Sequence, residues 1–496
     1  MKIILVLAPS WGIETPHLGI GLLAASLRKR GFEVKVFDFN LRIHNQHKEE
    51  GLWKGEEDLR WEDDRDVARF INENNELLDS FVNEVLAADA GVIGFSIYNT
   101  TRRLSLELAR RIKKKDKNKL LIFGGQQCFP EQAAEGLVNK DPVDAVIIGE
   151  GEETLVEFAG KIEKLKKMVF CPGVFYKENG RIINCGMRPP IANIDSLPFS
   201  DFSDFSLQEY GNPHQLPILS SRGCPYPCVF CSTKLFWGTF RSMSGSRIFR
   251  EIDYQLSRHK DVHFFTFNDH VVNADMRVLS DFCDLVIDAK LNRRQDNPSW
   301  ERLIWRGAVV VRKEMDADFL RKMRSAGCIE LEYGVESASL AVRRSMNKAP
   351  YDLEILGQVI NDTHDAGIDA RVNFMFGFPG ETREDFVQTL NFLKKNRAAF
   401  SQVHASETFC HIDPGTYLSG HLSQLGVLEK RFHPLYWESE DGKNTYPERL
   451  RRHQEFCQLA VSLNIPLSSG GHKIMLHKEH FLEEYNKYKI QKLENL

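Results

Sequence analysis

Short apolar runs alternate with helical patterns along most of the chain, in two successive stretches. In the first stretch, Ile20, Leu23, Ala24 and Leu27 recur at the spacing of one helix face, and Gly31 ends the helix where the next apolar run begins. The apolar runs predict five strands, at residues 3–7, 32–38, 91–96, 120–123 and 143–148. Because strands joined through helices form a parallel sheet with helices on its faces, residues 1–165 are predicted to fold as a doubly wound α/β domain.

Two segments depart from this alternation. Residues 42–77 are charged and weakly periodic, with Glu56-Glu57-Asp58 among them, and we expect an exposed insertion there. Residues 174–183 predict a hairpin around the turn Glu178-Asn179-Gly180, and proline-rich, aperiodic sequence follows it. Residues 166–215 are therefore assigned to a hairpin and a linker.

The second stretch alternates in the same way. It predicts six strands, at residues 217–221, 263–267, 303–311, 329–334, 370–376 and 402–409. Six strand–helix units without a reversal predict a partial (β/α)6 barrel over residues 216–410. Helical patterns at residues 417–427 and 447–463 predict that residues 411–496 form a helical C-terminal extension that caps this barrel.

Three cysteines, Cys224, Cys228 and Cys231, follow the first strand of the predicted barrel with CxxxCxxC spacing. A structural zinc site takes four protein ligands, whereas this loop supplies three thiolates. A cubane iron–sulfur cluster tolerates the open position, because three of its irons bind one cysteine each and the fourth can hold a small molecule. The spacing therefore favours a 4Fe-4S cluster. The alternatives are a buried cysteine loop and a zinc knuckle with a distant fourth ligand.

Composition narrows the class of protein and its partners. The seven other cysteines have no CxxC spacing among them, so a second cluster is unsupported, and we expect most of them to be small buried residues. Ten cysteines in a long chain without an export signal favour a reducing cytoplasm. No apolar stretch is long enough to span a bilayer. The formal net charge of −4 and the lack of a basic C-terminal segment with interleaved aromatic residues argue against nucleic acid as a partner.

From about residue 216 to residue 409 the sequence resembles the core of radical S-adenosylmethionine enzymes, and the three-cysteine loop is the most specific part of the likeness. Gly334-Val335-Glu336-Ser337 and Gly377-Phe378-Pro379-Gly380 match two further motifs of that family. The resemblance implies that the three cysteines bind a catalytic cluster. It also implies that S-adenosylmethionine contacts Phe230, Asn268, Asp269, Glu336, Ser337, Arg371 and Gly377. For Arg371, a structural salt bridge is an equal alternative.

In the first domain, small polar residues and glycines follow the third, fourth and fifth predicted strands, at the carboxyl ends where parallel sheets bind ligands. These residues are Ser96, Tyr98 and Thr100, then Gly124, Gly125 and Gln126, then Glu150, Gly151 and Glu152. Glycine lets a backbone approach a ligand closely. Each group taken alone is also common in ordinary turns and at the N-termini of helices, where it has no ligand-binding role.

Together with Leu18 and Gly19, these loops make residues 1–165 resemble the cobalamin-binding domain of the cobalamin-dependent radical S-adenosylmethionine enzymes. The resemblance implies that all of these residues contact cobalamin. The DxHxxG motif, by which other cobalamin proteins supply a histidine ligand to cobalt, is absent. His17 is no substitute, because nothing around it repeats that motif. The alternative is a degenerate domain without cobalamin.

The combined resemblance implies an enzyme that cleaves S-adenosylmethionine reductively at the cluster and makes a 5′-deoxyadenosyl radical. With cobalamin, the enzyme would methylate an unactivated carbon of a small-molecule or peptide substrate. An external electron donor such as flavodoxin or ferredoxin is implied as well. One alternative is a radical enzyme that forms a ring, couples carbons or rearranges its substrate without methyl transfer. From a different class, the chain could be a regulator that binds cobalamin or a cluster without turnover.

Overall fold

The computed structural model describes residues 1–46, 50–53, 58–140, 142–292, 297–348 and 351–494. The density of internal contacts divides the chain into two compact units. Unit 1 comprises Met1–Ile218, Phe236–Met243 and Arg250–Phe264, and unit 2 comprises Leu219–Leu235, Ser244–Phe249 and Phe265–Leu496. Two segments of the predicted barrel region, residues 236–243 and 250–264, therefore belong to unit 1.

Helices and strands alternate through the first half of the chain, as the sequence predicts. In chain order they are β1 (Lys2–Leu7), α1 (Leu18–Lys29), β2 (Glu33–Asp38), α2 (Phe39–Gln46), α3 (Asp58–Glu62), α4 (Asp64–Glu73), α5 (Asn75–Ala87), β3 (Val92–Ser96), α6 (Arg102–Lys115), β4 (Leu120–Gly124), α7 (Glu131–Val138), β5 (Ala145–Ile147), α8 (Gly151–Leu165), β6 (Val174–Glu178) and β7 (Arg181–Asn184).

These strands form one seven-stranded sheet in the order β2-β1-β3-β4-β5-β6-β7. The five strands from β2 to β5 pair in parallel, which confirms the predicted doubly wound arrangement. Strand β6 pairs antiparallel with β5, and β6 and β7 pair antiparallel with each other as a hairpin. The predicted hairpin is thus confirmed, and it extends the sheet beyond β5. Val174 and Phe175 are fully buried, so burial of its apolar face explains why the hairpin docks there.

The prediction of an exposed insertion at residues 42–77 is wrong for the part that the structure describes. Trp53, Trp61, Val67 and Phe70 are buried in the same apolar cluster as the sheet. The Trp61 indole donates a hydrogen bond to the Leu52 carbonyl oxygen at 2.8 Å. The sequence did not indicate this burial, because charged residues surround the apolar ones. The buried residues lie on one side of short amphipathic segments. Residues 47–49 and 54–57, including Glu56-Glu57, lie outside the described residues.

From residue 215 onward the elements are β8 (Gln215–Ile218), β9 (Ser221–Arg222), α9 (Thr233–Trp237), β10 (Arg241–Ser242), α10 (Gly245–Arg258), β11 (Phe264–Phe267), α11 (Met276–Asn292), α12 (Ser299–Arg302), β12 (Ile304–Val309), α13 (Ala317–Ser325), β13 (Cys328–Glu336), α14 (Leu340–Ser345), α15 (Leu353–Asp365), β14 (Asp369–Phe374), α16 (Arg383–Lys395), β15 (Gln402–Ala405), α17 (Tyr417–Gly420), α18 (Tyr446–Ser462), α19 (Ser469–Leu476) and α20 (Lys478–Glu494).

Six of these strands form a second sheet in the order β15-β14-β13-β12-β11-β8, so neighbours in the sheet follow chain order. The pairs from β12 to β15 are parallel. Sequential parallel strands joined by helices confirm the partial (β/α)6 barrel. Along β12, buried and partly exposed residues alternate, as expected of a strand that presents its two sides to different surroundings.

Some predicted boundaries in this half are wrong. The first strand lies at Gln215–Ile218 and not at 217–221, because Ser221 and Arg222 form the separate strand β9. The last strand ends at Ala405 and not at residue 409. The predicted helix at 417–427 is reduced to Tyr417–Gly420 and a 3₁₀ turn at Ser423–Leu425. Among the described residues, no helix is both long and apolar enough to cross a membrane.

Candidate functional site

Unit 2 holds an open cavity that is lined by all three cysteines of the CxxxCxxC loop, with about 950 Å³ of empty space when its open mouth is included. Cys224 and Cys228 are partly buried, and Cys231 is exposed. Val229, between two of the cysteines, anchors the loop. Its amide donates to the Met346 carbonyl oxygen at 3.0 Å, and its carbonyl oxygen accepts from the Leu418 amide at 2.9 Å. The spacing therefore folds into a loop that is fixed at its centre and presents its thiols to the cavity.

The donor set of this cavity fits a cubane cluster. Burial raises the pKa of the Cys224 thiol, and it raises the pKa of Cys228 to about 11. These thiols therefore need a bound metal to become thiolates near neutral pH. Among the residues that the structure describes, no three His, Cys, Asp or Glu side chains converge on a point that suits a single metal ion. A cubane binds each thiolate to a different iron and does not require such convergence.

A carboxylate and an ammonium group form a pair in the same cavity. Lys348 Nζ donates to Glu336 Oε1 at 2.7 Å and lies 5.9 Å from the centre of the Phe230 ring. Burial lowers the pKa of Lys348, but the nearby Glu336 carboxylate and then the Cys228 and Cys231 sulfurs outweigh it, so the pKa is raised. Lys348 is therefore charged at the cavity wall, close enough to interact electrostatically with the sulfurs of the cysteine loop.

The backbone is distorted where it presents Glu336. This residue ends β13 with φ +66°, in the left-handed region that residues other than glycine rarely adopt. The register between β13 and β14 shifts at the same place, between Gly334 and Glu336, which marks a bulge. A Cβ at position 334 would lie 2.9 Å from Lys348 Nζ, so a larger residue there would displace the end of the lysine side chain. Strain of this kind is concentrated at functional sites.

Three other residues predicted to contact S-adenosylmethionine do not line this cavity and have partners of their own. Asp269 is buried and accepts from the Ser220 amide at 2.9 Å, and burial raises its pKa to about 6. Ser337 Oγ accepts from the Ser339 amide at 3.1 Å. The Gly377 amide donates to Glu381 at 2.6 Å. The contacts of Ser337 and Gly377 lie within local turns, whereas the contact of Asp269 joins two segments that are distant in sequence.

Two further predicted residues also lie outside the cavity lining. Asn268 is exposed. Arg371 forms a salt bridge from Nε to Glu330 Oε2 at 2.9 Å, which is the structural alternative considered for it. Its neighbour on the same face of β14, Asn373, does line the cavity and donates to Glu332 Oε1 at 2.6 Å. The role of Arg371 and Asn268 in binding S-adenosylmethionine stays a prediction.

The sequence did not single out several residues that line this cavity. They are Tyr226, Thr233, His270, Glu332, Arg343, Lys348 and Tyr351. Tyr226 could have been found from its place between two cysteines of the loop. No local pattern marks Lys348 or Arg343, because helix α14 and the turn after it bring them to the cavity.

Unit 1 holds a second open cavity at the carboxyl ends of its parallel strands, with about 880 Å³ of empty space when its open mouth is included. Nine of the eleven residues predicted to contact cobalamin line it: Gly19, Ser96, Tyr98, Gly124, Gly125, Gln126, Glu150, Gly151 and Glu152. Leu18 and Thr100 are not in the lining. Leu18 is buried as the first residue of α1, and the Thr100 hydroxyl donates to the Ser10 carbonyl oxygen at 2.6 Å.

Glycines keep this second cavity open. Gly125 has φ +106°, and a Cβ there would lie 2.6 Å from the Ile97 carbonyl oxygen. A Cβ at Gly151 would lie 3.1 Å from the side chain of Leu23, which also lines the cavity. Apolar side chains such as Leu5 and Ile122 form much of the remaining wall. A wide apolar cavity with backbone amides at its rim fits a large macrocycle that carries amide groups.

His17 lines this cavity, but both of its ring nitrogens are engaged. Nδ1 accepts from the Ile20 amide at 3.1 Å and caps α1, so Nε2 carries the proton and donates to the Tyr98 hydroxyl at 3.0 Å. Burial lowers the pKa of His17 to about 4. The imidazole is therefore a neutral structural cap with no lone pair left for a metal, which agrees with the absence of the DxHxxG motif.

His17 should make the protein sensitive to acid. The folded-state pKa lies below the usual 6.5, so the unfolded chain takes up a proton first as the pH falls, and stability is lost between pH 6.5 and 4. In His17→Asn, which keeps a helix-capping oxygen, this loss should be smaller by about 3 kcal/mol. Urea unfolding followed by circular dichroism across that pH range measures it. The exposed His477→Asn is the control, and identical pH profiles for native and His17→Asn would contradict the assignment.

Glu150 holds an aromatic segment at this cavity. Its Oε1 forms a buried salt bridge with Arg241 Nη1 at 2.7 Å, and its Oε2 accepts from the Ile191 amide at 2.6 Å. Arg241 Nη2 in turn donates to the Trp237 carbonyl oxygen at 2.9 Å. Phe236 and Trp237 line the cavity, although the sequence analysis did not single them out. They lie about 85 residues beyond Glu150 in the chain, too far for any local pattern to place them there.

Family models match both halves of the chain. The model of the radical SAM superfamily matches residues 218–393, and the model of the B12 binding domain matches residues 61–159. The first match contains the three-cysteine loop and Glu336. The second contains all three of the loops that follow β3, β4 and β5 at the unit 1 cavity.

Two individual proteins are similar to this chain in sequence. An uncharacterized methyltransferase, PH0819, from Pyrococcus horikoshii is 26% identical over 430 residues, covering 84% of this chain and 82% of that protein. An anaerobic magnesium-protoporphyrin IX monomethyl ester cyclase from Synechocystis is 24% identical, covering 57% of this chain and 56% of that protein.

A solved structure has the same fold over most of the chain. It is the radical S-adenosylmethionine methyltransferase TsrM from Kitasatospora setae, with cobalamin and a [4Fe-4S] cluster bound. The TM-score is 0.65 at 16% identity, and the match covers 91% of this chain and 84% of that chain. At this identity the likeness establishes the fold of both halves.

Proposed function

Because this chain belongs to the cobalamin-dependent radical S-adenosylmethionine enzymes, we propose that it methylates an unactivated carbon of a small-molecule or peptide substrate. Its cofactors are those of the family: a 4Fe-4S cluster, S-adenosylmethionine and cobalamin. The observation that carries the proposal is that one chain has two cavities of different chemistry. One cavity contains three cysteines, and the other is a wide apolar cavity with a rim of glycines.

In the first cavity, Cys224, Cys228 and Cys231 would hold three irons of the cluster and leave the fourth open. When bound, the cluster supplies the electron that cleaves S-adenosylmethionine, and cobalamin supplies the means of carrying a methyl group. Glu336 and Lys348 present a carboxylate and an ammonium group beside Phe230, which suits the polar and aromatic parts of S-adenosylmethionine. The apolar wall at Val309, Val310 and Val311 would limit the access of water to a reactive carbon radical.

In the second cavity, the rim formed by Ser96, Gly124, Gly125, Gln126 and Gly151 would hold cobalamin through backbone and small polar groups. Since His17 is occupied as a helix cap, we propose that this chain supplies no histidine ligand to cobalt. We assign residues 1–165 to cobalamin binding and residues 216–410 to the radical core. We assign 166–215 to a connecting hairpin and linker, and 411–496 to a C-terminal extension.

The remaining proposals concern partners and location. The reduction step requires an external one-electron donor such as flavodoxin or ferredoxin. Seven of the ten cysteines are buried thiols, and in the described part of the chain all are unpaired, as in proteins of a reducing cytoplasm. We therefore propose a cytoplasmic enzyme. We propose no contact with nucleic acid, because the net charge of −4 provides no attraction for it.

Methyl transfer is tested with S-adenosylmethionine that carries a deuterated methyl group. The reconstituted enzyme, its substrate and a reductant are incubated without oxygen, and products are analysed by mass spectrometry. Because one S-adenosylmethionine yields the radical and a second yields the methyl group, 5′-deoxyadenosine and S-adenosylhomocysteine should form in about equal amounts. The deuterium should appear in the product.

The second candidate is a ring-forming or rearranging radical enzyme, which the cyclase among the relatives favours. That enzyme would yield 5′-deoxyadenosine with an unlabelled product and little S-adenosylhomocysteine. A cofactor-loaded protein that forms neither coproduct would instead be a regulator without turnover.

A further inference from the structure

The cavity with the three cysteines also contains a buried arginine whose charge is not neutralised. Arg343 lies in α14, is 3% exposed and lines the cavity. Its Nη2 donates to the Tyr351 carbonyl oxygen, and its Nε has no hydrogen-bond partner. Within the described ranges of the chain, no carboxylate forms a salt bridge with it. A buried guanidinium without an acidic partner is costly, so its retention requires an explanation.

The carboxylates near Arg343 are engaged elsewhere. Glu336 pairs with Lys348, and Glu332 accepts from the Asn373 amide. Asp352 caps α15 by accepting from the Ile355 amide at 2.9 Å. Burial lowers the pKa of Arg343, and the field of Asp352 raises it by less. Arg343 is therefore a cation in the lining of this cavity that forms no salt bridge with a carboxylate in the described part of the chain.

Hydroxyl groups and an apolar wall accompany Arg343. Tyr226 and Tyr351 line the same cavity, and both phenols are partly buried. Val310, Val311 and Leu356 contribute apolar surface. A planar guanidinium binds oxyanions through two parallel hydrogen bonds, and phenol hydroxyls can add further donors. The combination suits a molecule with one anionic group on an otherwise apolar body.

We propose that Arg343 anchors a carboxylate or phosphate-type oxyanion of the substrate, whose remaining surface is largely apolar. The inference rests on the proposed function, because it takes this cavity to be the one in which the substrate reacts. It adds the chemical class of that substrate. The competing source of an oxyanion is the carboxylate of S-adenosylmethionine itself.

The proposal is tested on the full chain, reconstituted with its cluster, using benzoate and phenylphosphonate as probes of the two oxyanion types. Binding is measured by saturation-transfer nuclear magnetic resonance and by the shift in melting temperature. Native protein should bind at least one probe, and the probe that binds identifies the oxyanion. Arg343→Met should weaken that binding at least about tenfold, since it removes a charged hydrogen-bond donor. The matched control is Arg344→Met, because Arg344 is exposed on the same helix, and it should bind like the native protein.

A second variant keeps the test valid if Arg343→Met does not fold. Arg343→Lys retains the charge but loses the planar pair of N–H donors of the guanidinium. It should therefore bind the probe more weakly than the native protein and more tightly than Arg343→Met. Equal binding by native protein and Arg343→Lys, or by native protein and Arg343→Met, would overturn the proposal. So would a failure of both probes to bind the native protein.

Competition separates the two sources of the oxyanion. If the substrate provides it, the native protein should hold a probe and S-adenosylmethionine at the same time. Displacement of the probe by S-adenosylmethionine would assign Arg343 to that cofactor and overturn the proposal. Probe binding does not require turnover. Protein that binds a probe but never forms 5′-deoxyadenosine would therefore contradict the proposed function and leave the anion site intact.

Discussion

Alanine at Cys224, Cys228 or Cys231 should abolish both the bound iron and the formation of 5′-deoxyadenosine. Each cysteine would hold a different iron, so the loss of one leaves the cubane with two protein ligands. Anaerobic reconstitution of the native chain should give about four irons per chain, and each variant should give close to none. Iron is measured by a colorimetric assay and 5′-deoxyadenosine by liquid chromatography.

The control for this experiment is Cys185→Ala. Cys185 is a buried cysteine of unit 1 and does not line the cavity of the other three. Its replacement should leave iron content and cleavage near the native level. A variant of Cys224, Cys228 or Cys231 that still cleaves S-adenosylmethionine would contradict the cluster assignment. Zinc in place of iron in the native protein would favour the zinc-knuckle alternative.

Gly125→Ala should abolish the retention of cobalamin. At φ +106° an alanine is strained, and its Cβ would lie 2.6 Å from the Ile97 carbonyl oxygen, so the loop after β4 must move. We expect a loss of about 1–3 kcal/mol in stability and a distortion of the rim of the unit 1 cavity. Native protein that has been offered hydroxocobalamin should keep it through gel filtration, with a base-off absorption spectrum, whereas the variant should not.

Gly91→Ala is the matched control for the glycine. Gly91 lies just before β3, and a Cβ there would meet no atom within 4 Å. This variant should retain cobalamin as the native protein does. Equal retention by Gly125→Ala and native protein would show that the cavity is not the binding site. Failure of the native protein to bind would favour a degenerate domain.

Periodicity predicted most of the fold, because strands and helices have different apolar repeats. It failed where burial depends on partners far away in sequence. Trp61 and Phe70 lie among charged residues, and their burial follows only from packing against the sheet. The hairpin of β6 and β7 was predicted, but its docking on β5 could not be inferred from its own sequence.

At the two cavities, too, residues in local motifs could be predicted and residues positioned by distant partners could not. The cysteine spacing and the loops after β3, β4 and β5 are local in sequence, and most of the residues that they single out line one of the two cavities. Lys348, Arg343 and Trp237 were missed because helices and distant salt bridges position them. For Asp269, hydrogen bonds with Ser220 account for its burial, and no sequence pattern reveals that partner.

Measuring iron and cobalt in the same reconstituted samples by mass spectrometry tests most directly whether one chain holds a cluster and cobalamin at separate sites. Native protein should contain about four irons and about one cobalt per chain. Cys224→Ala should lose the iron and keep the cobalt, and Gly125→Ala should lose the cobalt and keep the iron. Native protein without cobalt, or the loss of both metals in both variants, would contradict the assignment of the two cavities.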